Sequence, residues 1–133
     1  MPVEFIDTNI LIYSLSRDDK KQDKALALLA NKPVISIQVL NETANIMRRK
    51  LGFDVSVIRV VINRISQECS SLQPVTLTTL DRALNIVERY GFSYYDSLII
   101  AAALQADCRT LYSEDMQHGQ AIDNQLIIIN PFL

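Results

Sequence analysis

Short, continuously apolar runs alternate along this chain with longer stretches in which apolar residues return at helical spacing. Val3 to Ile6 makes a first strand that Asp7 ends, and Ile10-Leu11-Ile12 opens a short helix just beyond it. From Asp18 to Ala30, Ala25, Leu26, Leu28 and Leu29 mark the apolar side of an amphipathic helix that Asn31-Lys32-Pro33 stops. Val34-Ile35 is a buried strand; Ser36 can cap a helix running to about Leu51, where Gly52 closes it, and Asp54 starts another that reaches Cys69. Pro74-Val75-Thr76 is expected as a third strand, followed by a helix from Thr79 to Tyr90 closed by Gly91 and an alanine-rich helix from Ser93 or Tyr94 to Asp107. Thr110 to Tyr112 and Leu126 to Ile129 supply the last two strands. Five such strands alternating with helices predict an α/β fold with a mostly parallel sheet covered on both faces.

Length and composition narrow this to one core. At 133 residues, nearly half apolar and with 3 glycines and 4 prolines, the chain fits a single domain spanning residues 1–133. Cys69 and Cys108 belong to no paired-cysteine motif, which argues against zinc or a disulfide framework. No apolar run approaches a membrane span and no basic segment precedes one, so a soluble, cytoplasmic protein is expected. The net charge of −2 disfavours binding nucleic acid by bulk attraction, yet a cation held among carboxylates could still meet a phosphate.

Four acids carry the candidate chemistry. Asp7 stands at the carboxyl edge of the first strand, where ligands bind in open α/β sheets, although the same position suits a helix N-cap. Glu42 lies at the flank of a helix whose apolar stripe runs Leu40, Ala44, Met47, Leu51; a solvated glutamate is the alternative. Asp96 completes a Ser93-x-x-Asp96 arrangement that resembles a helix cap, on a helix otherwise suited to burial. Asp115 follows the fourth strand as Asp7 follows the first, with Glu114 a neighbouring competitor. A parallel sheet brings all four positions to one edge, where uncompensated carboxylates repel. Hard divalent cations would neutralise them, and oxygen-only ligation points to Mg²⁺ or Mn²⁺. With Asp7 as a metal ligand, capping is expected to pass to Thr8 or Asn9.

Four blocks in order then resemble one family: Phe5 to Leu11 around Asp7-Thr8-Asn9, Glu42 in its helix, Tyr94 to Ala103 around Asp96, and Leu111 to Gly119 around Ser113-Glu114-Asp115. Over essentially its whole length the chain resembles the PIN-domain ribonucleases, in particular the VapC-type toxins of toxin–antitoxin pairs. The resemblance implies a three-layer α/β/α sandwich and a metal-dependent endoribonuclease. Asp7, Glu42, Asp96 and Asp115 are then the acidic metal-binding and catalytic set, with Asp115 preferred to Glu114 mainly on this ground. Thr8, Asn9 and Ser113 support the loops, Ser113 standing where the family often has threonine. It also implies a homodimer and a cognate antitoxin.

Cleavage by metal-activated water, leaving 5′-phosphate and 3′-hydroxyl ends, suits a chain whose lone histidine is His118 in a surface loop. Arg49, on the Glu42 side of its helix, could meet RNA phosphate or simply complement the helix dipole, while Lys20, Lys21 and Lys24 are expected to form a solvated face. Two other functions remain open on the sequence: a catalytically inert PIN-like binding module and a structure-specific DNA nuclease. Gly52, Gly91 and Gly119 cannot build a glycine-rich phosphate loop.

Overall fold

The computed structural model describes residues 3–133. The elements run β1 (Glu4–Ile6), α1 (Thr8–Ser14), α2 (Asp19–Ala30), β2 (Val34–Ser36), α3 (Ile37–Arg49), α4 (Val55–Glu68), β3 (Ser71–Gln73), α5 (Leu77–Tyr90), α6 (Tyr94–Gln105), β4 (Thr110–Tyr112), β5 (Ala121–Ile122) and β6 (Leu126–Ile129). One sheet is formed, in the order β3-β2-β1-β4-β6-β5, with every pairing parallel except that of β5 with β6. The expected mostly parallel α/β sheet flanked by helices is present, with six strands where five were expected.

The central strands are buried because helices cover them: Phe5, Ile6, Ile35, Leu111, Leu126 and Ile128 join one core with Ile10, Leu11, Ile99, Ile100 and Met116. Helix α6 is buried from Ser97 to Leu104 and packs against β2, α3 and α5. Its alanines leave room for those neighbours to approach. Gly91 closes α5 in the left-handed conformation, with φ 77°, and its N–H donates to the Val87 carbonyl.

Two strand assignments differ from the sequence reading. The third strand is Ser71-Leu72-Gln73, paired with Val34-Ile35-Ser36, and not Pro74 to Thr76. Pro74 has no N–H to give a ladder, and Thr76 instead caps α5 in a reciprocal box with Thr79. The extra strand, β5, closes a hairpin through the three residues Asp123 to Gln125, of which Asp123 and Asn124 both lie at φ 53°, the positive φ that tight hairpin turns favour. Arg89 and Tyr90 of α5 hold that turn through the Asp123 carboxylate.

The strand order creates the setting for chemistry. From β1 the chain moves outward to β2 and β3, then returns to β4 on the other side of β1, so the loops after β1 and β4 diverge between adjacent strands. A crevice at the carboxyl ends of such a pair is where open α/β sheets place ligands.

Candidate active site

Parallel register decides which side chains meet in that crevice. Ile6 pairs with Tyr112, the Asp7 N–H donates to the Tyr112 carbonyl, and one step further Asp7 lies beside Ser113. The Ser113 hydroxyl donates to Asp7 Oδ2 at 2.7 Å and receives the Met116 N–H, tying the loop after β4 to the loop after β1.

Asp7 does cap α1: its backbone is extended and Oδ1 accepts the Thr8 N–H at 2.7 Å. The cap therefore did not pass to Thr8 or Asn9, because one oxygen of the carboxylate can serve the helix while the other serves Ser113. Thr8 has another task. Its hydroxyl donates to Glu42 Oε1 at 2.9 Å, and Gln38 Nε2 donates to Glu42 Oε2 at 3.0 Å, so Glu42 is fixed from both sides at the flank of α3. Asn9 reaches the opposite way, donating to Asp115 Oδ2 at 3.2 Å and accepting the Glu114 N–H. Asp96 stands in the first turn of α6, whose start Ser93 caps by accepting the Asp96 N–H.

Electrostatics show which carboxylates share space. Asp7 is 4% exposed, and burial pushes its pKa up to about 7 against the opposing hydrogen bonds from Ser113 and Thr8, with the charges of Asp96 and Glu42 adding to the rise. Asp96 is also raised, first by burial, against the Ser93 hydrogen bond, and further by Asp115. Asp7 thus feels the charges of Glu42 and Asp96, and Asp96 that of Asp115, and no lysine or arginine is a hydrogen-bond partner of any of these four acids among the described residues. Beside Asp7, an open cleft of about 530 Å³ is lined by Gln38, Asn41, Glu42 and Asn45 of α3 and by Tyr95 and Asp96 of α6.

A divalent cation fits the chemistry of this donor set in a particular way. Among the described residues no three acidic, histidine or cysteine side chains converge on one point, so the acids do not form a closed cage. Magnesium rarely uses one: it keeps waters and takes one or two carboxylates together with substrate phosphate oxygens. A buried Asp7 without a positive partner, facing two further carboxylates, suits such an open site.

Arg49 is exposed at the end of α3, on the helical row of Glu42, and His118 lies, as expected, in an exposed loop where Nδ1 accepts the Asn130 N–H. Lys21 is not part of a solvated face: Nζ donates to Glu114 Oε2 at 2.7 Å and to the Tyr13 hydroxyl, and it sits 4.5 Å from the Tyr13 ring centroid. Glu114, the competitor of Asp115, is spent on this pair and on the Tyr13 hydroxyl. The sequence reading missed Gln38, Asn41, Asn45 and Tyr95. The signal for the three α3 residues was the polar row at positions 38, 41, 42 and 45, which share one helical face; Tyr95, on α6, had none.

A family model of the PIN domain matches residues 5–121. Among solved structures, similarity extends to the VapC20 toxin of Mycobacterium tuberculosis, described as cleaving the sarcin–ricin loop (23% identity, TM-score 0.68, covering 84% of this chain and 89% of that one). A toxin–antitoxin complex from Klebsiella pneumoniae (17%, TM-score 0.67, 96% and 97%) and VapBC2 of Rickettsia felis bound to promoter DNA (20%, TM-score 0.66, 95% and 96%) share the fold as well. No curated protein matches the chain by sequence.

Proposed function

Because the chain belongs to the PIN-domain family, we propose that it is a metal-dependent endoribonuclease acting as the toxin of a VapBC-type toxin–antitoxin pair. The observation that carries this reading is Asp7: a buried carboxylate at the β1–β4 switch point, hydrogen-bonded by Thr8 and Ser113 and facing Asp96 and Glu42. Its neighbours in fold include a toxin that cleaves the sarcin–ricin loop and toxin–antitoxin complexes, which supports RNA as substrate and an antitoxin as partner; a homodimer is proposed with them as the working form.

Asp7, Asp96 and Asp115 would hold one or two Mg²⁺ or Mn²⁺ ions, with Glu42 as a further ligand or as acceptor of the attacking water's proton. When bound, the cation supplies activation of water and neutralisation of phosphate charge, giving 5′-phosphate and 3′-hydroxyl ends. The chain's own part is to keep these groups in place. Thr8 and Gln38 hold both Glu42 oxygens so that the carboxylate keeps its position beside the cleft. Asn9 keeps Asp115 within reach, and Ser113 keeps Asp7 from turning into the core. The alternative route through the RNA 2′-hydroxyl usually needs a paired acid and base, and His118 is committed to the Asn130 backbone.

An inert binding module and a structure-specific DNA nuclease are the competing readings. Incubating the purified protein and Asp7→Asn with single-stranded RNA and with duplex, flap and single-stranded DNA, in Mg²⁺, Mn²⁺ or EDTA, separates the readings. Metal-dependent RNA cleavage abolished in Asp7→Asn is expected, and it should persist on a substrate carrying a 2′-deoxy sugar at the scissile position. Cleavage confined to DNA would replace the ribonuclease by a DNA nuclease, and no cleavage of any substrate would leave the binding module.

A further inference from the structure

The cleft beside Asp7 has a second chemistry that the acids do not explain. Along α3, Gln38, Asn41, Glu42 and Asn45 recur at spacings of three and four residues, so their side chains form one row, and all four line the cleft. Across from them stands Tyr95, at 61% among the most exposed aromatic side chains described. Tyr95 is braced from behind: its ring centroid lies 5.5 Å from that of Tyr94, which packs on the small cluster of Ala83, Leu98 and Ala101. An exposed ring on a fixed support adds little to the core. It is a platform.

We propose that this cleft is a base-recognition subsite for one unpaired nucleotide of single-stranded RNA, an inference that rests on the ribonuclease reading and names what places the strand. The base stacks on Tyr95, and the Asn41 and Asn45 amides meet its edge. Amides carry both donor and acceptor and match the mixed edges of bases, and unpaired bases splayed onto aromatic rings are how proteins read RNA sequence. Glu42 and Asp96, on the same lining, belong to the cation under the ribonuclease reading, so the base is met by Tyr95 and the asparagine amides and not by the carboxylates. Beyond Asn45 the row ends at Arg49, exposed and about 10 Å along the helix from Glu42, where a neighbouring phosphate finds a positive charge. A cleft of about 530 Å³ is within the size range of sites that take molecules of nucleoside dimensions.

The test separates binding from cutting. In an Asp7→Asn background, fluorescence anisotropy measures binding of octameric oligoadenylate, oligocytidylate and oligouridylate, and of the same sequences annealed into duplex. Single strands should bind more tightly than duplex; Tyr95→Ala should weaken them roughly 5- to 150-fold, with Tyr95→Phe retaining affinity, since stacking needs the ring and not the hydroxyl. Asn41→Ala combined with Asn45→Ala should change the order of preference among the three homopolymers. In the parent with Asp7 intact, Tyr95→Ala should raise KM far more than it lowers kcat. If the parent cuts RNA and the Tyr95 and asparagine variants bind and cut as it does, the inference is overturned while the ribonuclease reading stands. If Tyr95-dependent binding is seen but the parent cuts nothing, the inference stands and the ribonuclease reading falls. Were Tyr95→Ala to leave RNA binding intact and loosen only a complex with the antitoxin, the cleft would be a protein-docking site and the inference would be wrong.

Discussion

Replacing Asp7 by asparagine isolates the conflict between folding and function at this site. The carboxyl is buried, and its pKa of about 7 in the folded protein stands well above the ordinary 3.8. The unfolded chain therefore gives up this proton near pH 4, while the folded chain holds it until about pH 7. Stability is highest below pH 4, falls as pH rises through the interval, and levels off above pH 7. The full difference is about 4 kcal/mol, of which about 2–3 kcal/mol is lost between pH 5 and pH 8. Asparagine keeps an oxygen for the Thr8 N–H, and the Ser113 hydroxyl can turn to accept from the new amide, so the variant keeps the shape without the charge. In EDTA at pH 8, Asp7→Asn should be more stable than the parent, by on the order of 10 °C in Tm for a chain of this size. Its urea-derived stability should lack the parent's decline between pH 5 and pH 8. Cleavage should be lost. Equal pH dependence in the two proteins, or a variant less stable than the parent at pH 8 in EDTA, would refute the claim that Asp7 is held charged against its burial.

The same crowding gives a metal response: Mg²⁺ or Mn²⁺ that binds only the folded site stabilises by mass action, about 2.7 kcal/mol at one hundred times Kd, and Asp96→Asn should reduce the rise in Tm. An unchanged parent Tm at millimolar metal would argue that the acids do not share a cation. Ser113→Ala removes a hydrogen bond that lowers the Asp7 pKa, so the pH at which cleavage sets in, expected to follow ionisation of Asp7, should move up and stability should drop by about 1–3 kcal/mol; Ser113→Thr should restore both. Ala102→Leu adds volume to the fully buried face of α6 and should cost about 1–3 kcal/mol in urea denaturation through forced repacking.

The sequence by itself determined the parts whose signals are local. The strands Val34-Ile35, which is buried, and Leu126 to Ile129, which buries Leu126 and Ile128, are apolar runs, the caps Ser36 and Ser93 precede their helices, and Gly91 closes α5 because the αL conformation suits glycine. The parallel sheet followed from their alternation, and the PIN-domain resemblance from four motif blocks that the family match across residues 5–121 bears out. Edge strands were less legible. Ser71 to Gln73 is only half-buried and carries no apolar run, and Ala121-Ile122 is two residues long, with Asp123-Asn124 as its one clear signal.

Only the tertiary structure decided how the acids are used. Whether Asp7 caps a helix or faces other carboxylates is not a choice the local sequence can express, and its two oxygens allow both. Glu114 and Asp115 are adjacent acids with the same local pattern, but packing ties Glu114 to Lys21 and Tyr13 and leaves Asp115 with Asn9. Tyr95 looks like part of an apolar helix start until α5 takes Tyr94 and leaves its neighbour outside. Each of these depends on contacts between residues distant in the chain, and such contacts exist only once β1 and β4 lie side by side.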